Sequence, residues 1–165
     1  MRPLLQDYFG LVKEPLAWAI NIICLGLLVV GTGSCKHGKC EPGPSSSASK
    51  DSHNAGENCM RCHLPDGEGE ICWNVAGTIY NASGQLPMSG VQVALFTAPL
   101  GSGGLRQTLQ SDRTGNIYTS SSVDFGSGLF PALIHGGDTA FMTESIRDGA
   151  CNRCHGRSTE RVRVH

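Results

Sequence analysis

Two short stretches of this chain carry residues whose types and spacing could do chemistry. They are Cys59-Met60-Arg61-Cys62-His63 and Cys151-Asn152-Arg153-Cys154-His155. In each, two thiols stand three positions apart, and an imidazole follows the second. Residues at that spacing on a helical turn lie on the same side. Haem carries two vinyl groups at a fixed separation, so each thiol can form a thioether with one of them. The histidine then supplies the proximal nitrogen to the iron. The expectation is two haem c groups, held covalently by Cys59 and Cys62 and by Cys151 and Cys154, with His63 and His155 as proximal ligands. Two other readings stay open. The four cysteines could together form a tetrathiolate zinc site, although zinc needs no histidine directly after each pair. Each pair could also close on itself as a disulfide.

Each iron would have a second axial position. His53 lies six residues before Cys59, in the polar stretch Ser52 to Asn58. Met142 lies nine residues before Cys151. A thioether ligand would raise the potential of its haem relative to a second histidine. His53 and Met142 are the favoured distal ligands, with His135 and His165 in reserve. Solvation would equally explain His53, and core packing would explain Met142.

The elements that position these motifs can be read from the flanking sequence. Residues 1–35 begin weakly basic, run apolar from Leu16 to Val30 and end in small residues before Cys35. That pattern describes a secretory signal, and the run is short of the roughly 20 residues of a membrane span. A single N-terminal helix anchor is the alternative. Cys35 after Gly33 and Ser34 resembles the lipid-modified cysteine of bacterial lipoproteins, which makes it the lipidation candidate. Residues 36–58 are rich in Pro, Ser, Gly and Asn and are expected to form a flexible tether. The first motif region covers 59–72, a β-sandwich and its connecting loop 73–149, and the second motif with its tail 150–165.

Period-two alternation begins after Trp73. Val75, Gly77 and Ile79 alternate with their neighbours, and Val91, Val93 and Leu95 do so again. Leu105–Leu109 and Ile117–Thr119 complete the pattern, separated by turn chemistry at Ser111–Asn116. The expected fold class is mainly β: a small antiparallel sandwich flanked by short helical haem-c motifs. The segments starting at Val75, Gly90 and Ser111 resemble the carboxypeptidase-regulatory or transthyretin-like (Ig-like) sandwich over about 45 residues. The resemblance implies a fold and ends after Ser120, because Asp124 to Ala132 is not a standard closing strand.

Among the remaining cysteines, Cys24 would leave with the signal, and Cys40 and Cys72 are a candidate disulfide. The two motifs flank the sandwich in sequence. An odd number of strands would separate them by a strand length of about 20 Å, and an even number would bring them together. The adjacent arrangement is favoured.

The motifs resemble those of multihaem cytochromes c. The stretches around them are also similar to a group of exported bacterial dihaem proteins, in which a histidine before the first motif and a methionine before the second recur. This implies extracytoplasmic electron transfer, in the periplasm or at the outer membrane or cell surface. Other cytochromes or quinol-linked reductases would be the redox partners. The protein would be held at a membrane by lipid or helix, and haem faces offer a route to self-association. An electron carrier rather than an enzyme is expected. The alternatives are a haem-stapled scaffold module and a small haem peroxidase or reductase. The net charge of -1 and the absence of a basic patch exclude nucleic acid as an expected partner.

Overall fold

Alternation of apolar and polar residues puts one face of each strand into a shared core, and the chain uses that rule to build two sheets. Residues 41–47 and 52–164 are described by the structure, a computed structural model. Seven strands follow in order: β1 (Val75–Thr78), β2 (Gln92–Phe96), β3 (Leu105–Gln110), β4 (Asn116–Thr119), β5 (Phe130–His135), β6 (Asp138–Phe141) and β7 (Gly149–Ala150). One sheet has the order β4-β1-β7 and the other β3-β2-β5-β6. The small sheet is mixed, because β7 runs parallel to β1 with Val75 opposite Gly149 and Ala76 opposite Ala150. The large sheet is antiparallel throughout. The fold is therefore mainly β and sandwich-like, as the sequence predicts in its coarse form.

The core between the sheets is made by Val75, Ile79, Val93, Leu95, Leu109 and Ile117, with Val91, Leu129 and Val164 beside them. Ala76 and Tyr118 point the other way. They join Met60 in a second, smaller cluster on the outer face of the small sheet. Strand β1 is thus buried on both faces, and all four of its residues are shielded from solvent.

The chain passes from the large sheet to the small one through the turn Ser111–Asn116. The Asp112 carboxylate accepts hydrogen bonds from the Thr114 and Asn116 backbone N–H groups at 2.9 and 3.0 Å. Gly115 takes the left-handed conformation there at φ +79°, which a glycine adopts without steric penalty. Beyond Ser120 the structure supplies the closing strand that the sequence does not announce. β5 pairs with β2 over five residues, from Gln92–Ile134 to Phe96–Phe130. Pro131 is tolerated in this internal strand because its missing donor lies on the side where β6 has ended. The Pro131 carbonyl, on that same side, accepts from Met142 N–H at 2.9 Å.

Two expectations change. The motifs do not form helices: each opens with a single 3-10 turn, Cys59–Arg61 and Cys151–Arg153. The glycine-containing turn after His63 and Gly156 at φ +83° end each turn before a helix can propagate. The stretch expected as a tether, where described, lies on the small sheet. Ser46 is buried and its N–H donates to the Tyr118 carbonyl at 2.8 Å. Gly56 N–H donates to Thr78 Oγ1 at 2.7 Å. Polar side chains of the outer face give this apolar-poor segment the partners it needs. The signal or anchor region 1–35, including the lipidation candidate Cys35, lies outside the described residues.

Leu109 is 1% exposed at the centre of the core. Leu109→Ala is expected to destabilise the domain by about 2–5 kcal/mol. Denaturant unfolding checks this, and a change below about 1 kcal/mol would mean that the core is not packed as described.

Candidate functional site

Both motifs converge on β1, from opposite faces. The first turn seats Met60 against Ala76 and Tyr118 on the outer face. The second turn follows β7 directly and lies over the inner face at Gly77. A Cβ built on Gly77 would stand 2.6 Å from Cys151 Cβ, which is too close for any side chain. Glycine at this position therefore sets how closely the second motif approaches the strand. Seven strands do not separate the motifs, because the parallel β7 returns the chain to the start of β1.

The two motifs share one local geometry. His63 N–H donates to the Cys59 carbonyl at 3.0 Å, and His155 N–H to the Cys151 carbonyl at 3.1 Å. In each, the first cysteine is half-buried, the second is exposed and the residue after the first cysteine is buried. Each imidazole also uses Nδ1 in the same way. His63 Nδ1 meets the Ile71 carbonyl at 2.7 Å, and His155 Nδ1 meets the Glu160 carbonyl at 2.8 Å. A carbonyl only accepts, so both Nδ1 atoms carry a proton, and in the neutral imidazole the lone pair is then on Nε2. That tautomer is the one a metal-binding imidazole requires.

A cavity of about 710 Å³ adjoins the first motif and contains His53, Cys59, Cys62, His63 and Trp73. The His53 and His63 rings lie with centroids 6.0 Å apart. Two metal–nitrogen bonds of about 2 Å plus the two half-rings come to about 6 Å, so one metal ion between these imidazoles fits the spacing. Trp73 packs on His63 at 5.1 Å and Tyr118 on Trp73 at 4.8 Å. Asn116 holds the segment that carries His53: its side-chain amide donates to the Ser52 hydroxyl at 2.9 Å and to the His53 carbonyl at 3.2 Å. Asn58 Oδ1, on the wall of this cavity, is buried without a partner.

A second cavity, of about 630 Å³, opens between the sheets beside the other motif. Cys151, Cys154 and His155 line it, together with Met142 and the core residues Ile79 and Ile117. The C-terminal segment closes it. Tyr80 N–H donates to the Val162 carbonyl and Val164 N–H to the Tyr80 carbonyl, at 2.8 and 3.0 Å. That pairing fixes the Glu160 carbonyl against His155.

The predicted residues sort as follows. His53 lies beside His63, and Met142 lines the same cavity as His155. His135 lines neither cavity and sits at the β5–β6 hairpin. His165 and Cys40 lie outside the described residues. The four motif cysteines are free. Among the described residues no three His, Cys, Asp or Glu side chains gather as a metal-binding group, so the tetrathiolate zinc arrangement is not assembled. Burial and then the charge of Cys59 push the Cys151 thiol up to about 12, and burial raises Cys59 as well. Both thiols are protonated at neutral pH, so neither is an activated nucleophile. Trp73, Gly77, Asn116 and the two carbonyl acceptors were not legible as site residues. Only Trp73, next to Cys72, offered a signal.

Cys72 is disulfide-bonded. Its partner lies outside the described residues. Glu41 bridges Ile71, the neighbour of Cys72. No family model, curated protein or solved structure matches the chain.

Gly77→Ala is expected to expel the second turn from β1. In the protein stripped of any cofactor, Cys151 should then react faster with an alkylating reagent while Cys59 stays unchanged. Equal protection of Cys151 in both forms would refute the role given to Gly77. Peptide mapping without reductant is expected to find Cys72 joined to Cys40, and a different partner would refute that pairing.

Proposed function

We propose that the chain is an electron carrier of the dihaem c class that works outside the cytoplasm. The observation that carries this reading is the repeated histidine arrangement. Two separate Cys-x-x-Cys-His motifs each fix Nδ1–H on a backbone carbonyl and leave Nε2 as donor beside a cavity. Both cavities fall within the roughly 300–1,000 Å³ usual for bound small molecules and cofactors. Cys59 and Cys62 would attach one haem and Cys151 and Cys154 the other, with His63 and His155 as proximal ligands. The spacing of His53 and His63 favours His53 as the distal ligand of the first site. Met142 shares its cavity with His155 and would be the distal ligand of the second. Bound haem would supply a reversible one-electron iron couple.

The chain's own residues would do the rest. Ile71 and Glu160 hold each proximal imidazole in one tautomer and one orientation. Trp73 covers the first histidine, and inter-sheet apolar residues line the cavity beside the second. With His53 and Met142 available beside the two proximal histidines, a bound iron would have no open place for substrate, which favours a carrier over a peroxidase. In finer detail, we propose a transthyretin-like strand arrangement for the sandwich, on the motif resemblance over β1 to β4. Export, anchoring through Cys35 or the N-terminal apolar run, and redox partner proteins belong to the same proposal.

Pyridine haemochrome analysis of the exported protein is expected to give two haem c per chain. Cys62→Ala should weaken attachment at the first site only, and Cys154→Ala at the second only. His53→Ala is expected to turn one haem from low spin to high spin with the haem count unchanged. A polypeptide that shows no haem stain after denaturing electrophoresis would sink the proposal.

A further inference from the structure

The two cavities differ in three ways that act on a bound iron in the same sense. We propose that the second site has the higher potential, so that the one-electron-reduced protein holds its electron at Cys151–His155. Electrons would then enter at the first site and leave from the second. This rests on the dihaem reading given above.

The first difference is the ligand set. The first cavity offers two imidazoles, His53 and His63, at 6.0 Å. The second offers His155 and the thioether of Met142. A thioether stabilises the ferrous state relative to an imidazole.

The second difference is the polarity of the lining, since the His155–Glu160 contact is exposed and the His63–Ile71 contact part-buried. The second cavity reaches between the sheets to Ile79, Val93, Ile117 and Leu133. The first lies on the outer face of the small sheet, among Ser52, Asn54, Asn58 and Asn116. Reduction removes a positive charge from the iron, so the more apolar lining favours the reduced form.

The third difference is charge. At the first cavity Glu57 is paired with Arg157 at 3.3 Å. Asp66 and Glu68 then face a single guanidinium, Arg61. At the second, Asp148 pairs with Arg153, and Glu160 with Arg163 at 3.0 Å. Arg147 and Arg161 remain against one carboxylate, Glu144. Excess negative charge holds the first iron ferric, and excess positive charge draws the electron to the second.

The step balances as one electron passed from the first iron to the second, with no bond made or broken. A one-electron donor protein or mediator supplies it. The route is short, because the two turns pack on opposite faces of one strand, β1.

The test is a mediated potentiometric titration of the full holoprotein, followed by optical and electron paramagnetic resonance spectra. Haem count is read first, so that loss of the dihaem reading is recognised separately. Two one-electron steps are expected. The signature of the methionine-ligated ferric haem should vanish in the upper step, with the electron favouring that site at least tenfold, or about 59 mV. Met142→His should close the gap between the steps to less than tenfold while haem count stays at two. The exposed pair Asp66→Lys and Glu68→Lys should raise the lower step alone, and it serves if Met142→His does not mature. A single merged step, or reduction of the bis-histidine haem first, would overturn the proposal.

Discussion

A parallel ladder only two residues long, Val75 with Gly149 and Ala76 with Ala150, decides where the two ends of the sandwich meet. Parallel pairing requires the chain to travel the length of the domain and return in the same sense. It does so through the large sheet. The second motif therefore starts beside the strand that the first motif leads into. Without this pairing the three-residue turn at Cys151 would have no strand to lie on. Its closeness to β1 then depends on Gly77, whose missing side chain leaves space for Cys151. A strand buried on both faces thus carries both motif turns.

The histidines show how secondary structure sets the chemistry of a side chain. The nearest Nδ1 partner is in neither case a side chain, although the Thr159 hydroxyl also lies 3.3 Å from His155 Nδ1. Both nearest partners are carbonyls brought close by turns that fold back on the motif: Ile71 at the end of the loop after the first, Glu160 within the tail after the second. A carboxylate in the same place would add charge and raise ligand basicity further. A backbone carbonyl fixes the tautomer with less charge, which leaves the surroundings of each cavity to distinguish the sites.

Much of this was legible in the sequence. The motifs define themselves by spacing, and strands β1 to β4 follow from alternation between glycine and aspartate turns. Strand β5 was hidden because Pro131 argues against an internal strand, although Gly136-Gly137 carries a hairpin signal. Both glycines take positive φ, at +61° and +91°, between the paired His135 and Asp138. The polar segment before Cys59 reads as a tether because it has no large apolar side chain. Its order comes from hydrogen bonds to Thr78, Asn116 and Tyr118, and composition does not reveal such partners. The pairing of His53 with the first motif and Met142 with the second depends on which face of β1 each segment reaches. Sequence distance alone does not encode that.

The tail pairing at Tyr80 has a consequence for the order of events as the domain folds. The first histidine finds its acceptor eight residues away, at Ile71. The second needs Glu160, and the tail that carries Glu160 is held by Val162 and Val164 against a residue some eighty positions earlier. Contacts of that separation close late, after the loops between them have been ordered. The His155 contact therefore waits on that long-range pairing, whereas the His63–Ile71 contact is local, although His53 still has to be brought in by Asn116. The two imidazoles thus acquire their acceptors at different stages of folding, the local one at His63 before the long-range one at His155.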